Sequence, residues 1–176
     1  MQVFFHKRKL PHIQIENMYN FITFRTFKSI DEYVKRVSLS NINTKIKQYK
    51  IDNYLDNSSK GCYFYNKQID ILKDILFEYD NVDYKLISFA IMPNHIHLLI
   101  QPYSKLSKIM QKIKGKSAKI LNESLNIKGK FWAREYYDKI IRDEKQFFLT
   151  IEYILNNPIK ADLQDSESRV YVTPKL

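Results

Sequence analysis

Two β-rich runs, Asp83 to Met92 and His95 to Gln101, are separated only by Pro93-Asn94, and this spacing restricts the fold more than any other feature of the chain. A proline followed by an asparagine turns the backbone, and so short a connection joins neighbouring strands only in antiparallel fashion. The second run opens with His95-Ile96-His97. Side chains two residues apart on a strand share a face, so both imidazoles project together while Ile96 and Leu98 point the other way. Two imidazoles so aligned suit a shared metal ion. They suit equally well a pair of histidines satisfied by hydrogen bonds on a sheet face, and for an isolated His-x-His that second reading is the commoner.

The rest of the chain alternates strand and helix signals. Met18 to Thr26 alternates large apolar with polar residues and reads as a strand with one buried face. Ile30 to about Asp56 is polar and helical, with Asp31 as a cap and an interruption at Ser38-Leu39-Ser40-Asn41. After a loop at Asn57 to Gly61, Asn66 to Tyr79 carries Ile69, Leu72, Leu76 and Tyr79 at helical spacing, behind an asparagine suited to capping. Ser104 to about Leu125 forms a long helix, with Leu106, Ile109, Met110, Ile113, Ile120 and Leu121 inward. Phe131 to Ile141 is expected to be a strand, and Asp143 to Asn157 a helix stopped by Pro158. On this last helix Phe147, Phe148, Ile151, Ile154 and Leu155 gather on one side, and Gln146, Thr150, Tyr153 and Asn157 on the other. Tyr153 therefore stands off the apolar stripe, one turn before Asn157 and without an evident apolar partner.

A chain of 176 residues suits one domain, expected over residues 1–163 with a short basic N-terminal arm and a tail at 164–176. Twenty-nine Lys and Arg against nineteen Asp and Glu give a formal charge of +10, which favours a polyanionic partner. Lys7, Arg8 and Lys9 are clustered, and Lys105, Lys108, Lys112, Lys116 and Lys119 recur along one side of the long helix. Such a stripe could follow a phosphate backbone, although a solvated helix face explains most charge runs. No apolar stretch approaches the roughly 20 residues needed to cross a bilayer. The single cysteine, Cys62, fits a reducing compartment, so a cytoplasmic location is expected. The three glycines form no phosphate loop, which excludes the usual nucleotide cradle.

Several separated motifs occur in one order: Met92-Pro93-Asn94-His95-Ile96-His97-Leu98-Leu99, then Gly129-Lys130-Phe131-Trp132-Ala133-Arg134-Glu135-Tyr136-Tyr137-Asp138, then Ile141-Arg142-Asp143-Glu144, then Tyr153-Ile154-Leu155-Asn156-Asn157-Pro158-Ile159-Lys160. In this order the chain resembles the single-tyrosine HUH transposases, and within them the REP-associated tyrosine transposases. Leu10-Pro11-His12 and Phe21-Ile22-Thr23-Phe24-Arg25 also fit, whereas Ala133 and Asp162 depart from the glutamine and glycine usual there. The resemblance implies a ferredoxin-like α+β domain, a central antiparallel sheet with helices packed on it. It implies His95, His97 and Asn157 as ligands of Mg2+ or Mn2+, and Tyr153 as the nucleophile that cleaves and rejoins hairpin-bearing single-stranded DNA through a 5′-phosphotyrosine. Lys7, Arg8, Lys9 and the lysine stripe would hold DNA phosphates, and a homodimer is expected. Two other functions fit the same motifs, a hairpin-binding protein that does not cut and a metal-dependent nuclease that uses water.

Overall fold

The computed structural model describes residues 3–7 and 11–174. β1 (Val3–Lys7) and β2 (Pro11–Ile15) pair as an antiparallel ribbon. The domain proper runs β3 (Tyr19–Arg25), α1 (Glu32–Leu39), α2 (Thr44–Asp56), α3 (Lys67–Glu78), β4 (Tyr84–Ile91), β5 (His95–Pro102), α4 (Leu106–Leu125), β6 (Tyr137–Ile141), α5 (Glu144–Lys160) and β7 (Val170–Val172). The sheet order is β6-β3-β5-β4-β7, with every neighbouring pair antiparallel. Strands β3 to β6 interleave as two split β-α-β units, the ferredoxin-like α+β arrangement expected from the sequence.

The central strands β3 and β5 are buried on both faces, and alternation divides their side chains between two cores. Ile22, Phe24, Ile96 and Leu98 pack with Leu72 and Leu76 of α3 and Ile109, Met110 and Ile113 of α4. Phe21 and Leu99 pack on the opposite face with Ile151 and Ile154 of α5. Each fully buried Phe, Leu or Ile contributes about 1.5–3 kcal/mol by leaving water. A bulge between Leu86 and Ser88 of β4 lets Leu86 and Phe89 enter the same core and sets Ala90 opposite His97.

Local chemistry explains most element ends. Asp31 Oδ1 accepts from Val34 N at 3.1 Å and caps α1, as expected. Asp143 caps α5 by accepting from Gln146 N at 2.7 Å, while the Gln146 amide reaches back to the same carboxylate. Asn66 begins α3 without a side-chain cap; its φ of +46° uses instead the tolerance of asparagine for left-handed backbone.

Three expectations are corrected. The stretch from Phe131 is not one strand: Trp132 makes an isolated bridge to Thr26, and regular pairing begins only at Tyr137. The Trp132 indole is drawn toward α4, donating to Ser117 Oγ at 2.9 Å, and the chain leaves the ladder to bury it. Pro158 does not stop α5, which continues to Lys160; so close to the helix end a proline removes a single hydrogen bond, and the ring is buried. The segment after Leu163 is no loose tail, because it returns as β7 on the edge of β4. It is held there by Arg169, buried, whose Nη1 donates to Phe64 O at 3.0 Å and Ile91 O at 2.9 Å and whose Nε pairs with Asp165.

Candidate active site

On the α5 side of the sheet, β3 and β5 place Thr23 opposite His97 and Arg25 opposite His95. Both imidazoles are fully buried. The Asn94 amide nitrogen lies within hydrogen-bond range of the carbonyl oxygens of Leu55, Ser58 and Lys60, so its oxygen must be the atom that faces His95 Nδ1 at 2.8 Å. An oxygen acceptor there requires His95 to carry its proton on Nδ1, which leaves the lone pair on Nε2. That Nε2 lies 3.0 Å from Nε2 of His97, whose own Nδ1 meets Thr23 Oγ1 at 2.9 Å. Asn94 and Thr23 thus occupy the outer positions that orient histidine ligands. Two nitrogens each about 2.0–2.1 Å from an ion lie about 2.9 Å apart when they subtend a right angle. The separation fits a shared cation.

Burial and the nearby Arg25 charge push the His97 imidazole down to about 3, and burial holds His95 well below its usual range. Both are therefore neutral at physiological pH, the state that binds metal. The sequence did not single out the third member of the cluster. Asp52 of α2 brings a carboxylate oxygen within 4.8 Å of both ligand nitrogens. Its Oδ1 accepts from Gln48 Nε2 at 2.5 Å, and its Oδ2 accepts from the Tyr153 hydroxyl at 3.2 Å. Burial, opposed by Arg25, pushes the Asp52 carboxyl up to about 7. Asp56, one turn later, lies 3.6 Å from His95 Nε2 and is likewise pushed up to about 7 by burial.

Tyr153 meets this cluster from α5. Its ring packs edge-on to His97, with centroids 5.3 Å apart, and edge-on to Phe21, at 5.8 Å. Phe21 is the apolar partner that helical spacing alone could not reveal, since it comes from another element. Burial, with the carboxylates of Asp52 and Asp56, holds the phenol well above its ordinary range. Asn157 is buried one turn on, as its spacing requires, and its Nδ2 donates to Tyr153 O at 2.6 Å. That bond uses the amide nitrogen of Asn157, not its oxygen.

Of the expected DNA-binding residues, those of α4 do not share this face. Arg8 and Lys9 lie outside the described residues, and Lys7 is described only by its backbone place at the end of β1. The helix carrying Lys105, Lys108, Lys112, Lys116 and Lys119 covers the opposite side of the sheet. There Lys112 pairs with Asp83 at 2.7 Å and Lys116 with Glu78 at 2.5 Å. The periodicity located a basic stripe but could not say that acids of neighbouring segments meet part of it. A cleft of about 730 Å³ beside β6 is lined by Lys45, Lys139 and Arg142 together with Tyr137 and Gln146. Tyr137 sits opposite Thr23 in the β3–β6 pairing, so the cleft adjoins the cluster; burial, with the charges of Asp52 and Asp138, pushes its phenol up. Asp52 itself carried one faint signal, the repeat of Gln48, Asp52 and Asp56 one turn apart between the apolar Ile51 and Leu55.

A family model described as "Transposase IS200 like" matches residues 58–157, which include His95, His97, Tyr153 and Asn157 but not Asp52. An uncharacterized protein of Haemophilus influenzae is 30% identical over an alignment covering 43% of this chain and 54% of the relative, so the chain spans about half of that protein's length. Among solved structures, a REP-associated tyrosine transposase bound to a REP hairpin is similar, with 16% identity and a TM-score of 0.47, over 88% of this chain and 73% of that one. A Deinococcus radiodurans R1 protein described as a candidate transposase has 17% identity and a TM-score of 0.39, over 86% of this chain and 96% of that one. These scores are too low to add to the family match. That match spans more than half of the chain and takes in the strand of paired histidines and the helix of the tyrosine; the chain belongs to the IS200-like transposase family.

Proposed function

We propose that this protein cleaves and rejoins single-stranded DNA by transesterification, with Tyr153 as nucleophile. The observation that carries this reading is the hydrogen bond from the Tyr153 hydroxyl to Asp52, whose carboxylate also faces the two histidine nitrogens. Nucleophile and cation-binding cluster are thus joined through one side chain. His95, His97 and Asp52 would hold a divalent ion, with the Asn157 oxygen as a further candidate ligand. A mixed nitrogen and oxygen donor set suits Mn2+ better than Mg2+, which prefers oxygen throughout. When bound, the ion supplies charge stabilisation at the phosphate oxygens.

The remaining work falls to the chain's own residues. Asp52 orients the phenol and accepts its proton as the oxygen attacks phosphorus. The Tyr153 Oη–P bond forms, the bond from phosphorus to the 3′ oxygen breaks, and that oxygen departs as a hydroxyl by taking a proton from water, which the proton held on Asp52 replaces in solvent. The 5′-phosphotyrosine conserves the phosphodiester, so a 3′ hydroxyl from another strand can reverse the step without ATP. Thr23 and Asn94 keep the imidazoles in register, and Phe21 limits rotation of the Tyr153 ring. The substrate strand would follow the cleft of Lys45, Lys139 and Arg142 in place of the α4 stripe, with the phosphates held by charge.

The motif resemblance to REP-associated tyrosine transposases supports a hairpin-bearing strand as substrate. The test is covalent capture with labelled hairpin-bearing single strands and Mn2+. A denaturation-resistant adduct lost in Tyr153→Phe is expected. Free 5′ phosphates without an adduct would identify a water-using nuclease instead, and tight binding with neither product a non-cutting hairpin binder.

A further inference from the structure

Arg25 is the buried charge that this mechanism leaves unused. It closes β3 directly opposite His95, on the histidine face of the sheet, and is only 9% exposed. One arm of the guanidinium makes a long contact from Nη2 to Gln48 Oε1, 3.4 Å, and Gln48 in turn donates to Asp52. The other arm, Nη1, is buried with no hydrogen-bond partner among the described residues. A buried N–H on a charged group is costly when unpaired, and such orphans are rare unless a ligand completes them. A structural arginine in this same protein looks quite different: Arg169 satisfies its buried Nη1 with two carbonyl oxygens and its Nε with Asp165.

Charge balance points to the missing partner. A divalent ion on the histidines, together with Arg25, would bring three positive charges into a space whose two carboxyls, Asp52 and Asp56, supply at most two negative ones, the second shared with Lys160. One phosphodiester group supplies the third. A guanidinium matches phosphate oxygens in both geometry and charge. We propose that Arg25 is a catalytic residue whose Nη1 donates to a non-bridging oxygen of the scissile phosphate, beside the cation held by His95 and His97. The proposal rests on reading this face as a phosphodiester-cleaving site. It adds a protein cation to the charge that builds on phosphorus as Tyr153 attacks. Losing one such preorganised donor typically costs about 10²–10³-fold in rate.

The test separates phosphate contact from metal binding. Mn2+ binding is titrated by electron paramagnetic resonance for the wild type, Arg25→Gln, Arg25→Lys and His97→Ala. Binding of the dinucleotide thymidylyl-(3′→5′)-thymidine to each Mn2+-loaded protein is then followed by the relaxation of its 31P signal. Arg25→Gln is expected to keep Mn2+ affinity within about threefold while weakening the dinucleotide about tenfold or more, with Arg25→Lys in between. Unchanged dinucleotide affinity in Arg25→Gln would overturn the proposal. So would loss of Mn2+ binding in both Arg25 variants alongside lowered melting temperatures, which would make Arg25 a structural residue. Absence of His97-dependent Mn2+ binding in the wild type would overturn the site reading itself, and the arginine contact with it.

Discussion

The two faces of the central strand pair are built from alternate residues of the same two segments, and they have opposite characters. Toward α3 and α4, β3 and β5 present Ile22, Phe24, Ile96 and Leu98, all buried in an apolar core. Toward α5 and α2 they present Phe21 and Leu99 in a second apolar core and, beyond these, Thr23, Arg25, His95 and His97, buried but polar, with Asp52 and Tyr153 closing over them. Burying polar and charged groups is unfavourable unless they are paired, and among the described residues this face leaves a guanidinium arm and an Asp56 oxygen without a hydrogen-bond partner. One side of the sheet is an apolar core throughout, and the other joins a smaller apolar core to a polar end that preorganises charge. The difference teaches that burial by itself does not mark a core in this fold.

The comparison breaks most sharply under truncation. Phe24→Ala, on the apolar face, is expected to lower stability by about 3–5 kcal/mol, measured by urea denaturation. His97→Ala, in metal-free protein, should cost far less, because it removes a desolvated polar group from a cluster that lacks its cation. An equal loss at both positions would contradict the division of labour. Next in size is the effect of metal: saturating Mn2+ at about 100 times its dissociation constant should raise wild-type stability by about 2.7 kcal/mol. The same addition should leave His97→Ala unchanged in a thermal melt.

A smaller effect separates the two basic regions. Exchanging Lys45, Lys139 and Arg142 together for alanine should weaken binding of single-stranded oligonucleotides and flatten its dependence on salt. The matched change at Lys112 and Lys116, which pair with Asp83 and Glu78 on the other face, should alter neither much. Fluorescence anisotropy across a salt series reads both.

The smallest predicted effect concerns the bracket that brings α2 to the site. Asp31 caps α1 and also accepts from Tyr54 and Lys60, and these hydrogen bonds hold its carboxyl below the usual range. Because the folded group binds its proton less readily than the unfolded one, its contribution is present above about pH 4 and lost on further acidification. Asp31→Ala should therefore cost about 1 kcal/mol at neutral pH and progressively less below pH 4, followed by denaturation at each pH.

What the sequence made legible was local. The hairpin through Pro93-Asn94, the capping by Asp31, the break between α1 and α2 and the shared face of Tyr153 and Asn157 each depend on residues within a turn or two of one another. The same proximity made the paired histidines visible. Asp52 was not legible because it arrives from α2, three elements before the histidine strand, and in sequence its turn resembles any solvated helix face. The lysine stripe shows the converse: periodicity defines a face of α4, but the side of the sheet it covers, and the acids waiting there, are settled only by packing. Trp132 and the continuation of α5 through Pro158 likewise follow from what each buries, which no local pattern records.

The most direct measurement is covalent capture comparing wild type, Tyr153→Phe and Asp52→Asn with hairpin-bearing single strands and Mn2+. A denaturation-resistant protein–DNA adduct is expected in the wild type, none in Tyr153→Phe or without metal, and a much slower one in Asp52→Asn. An adduct that survives in Tyr153→Phe, or cleavage by the wild type that leaves only free 5′ phosphates, would contradict it.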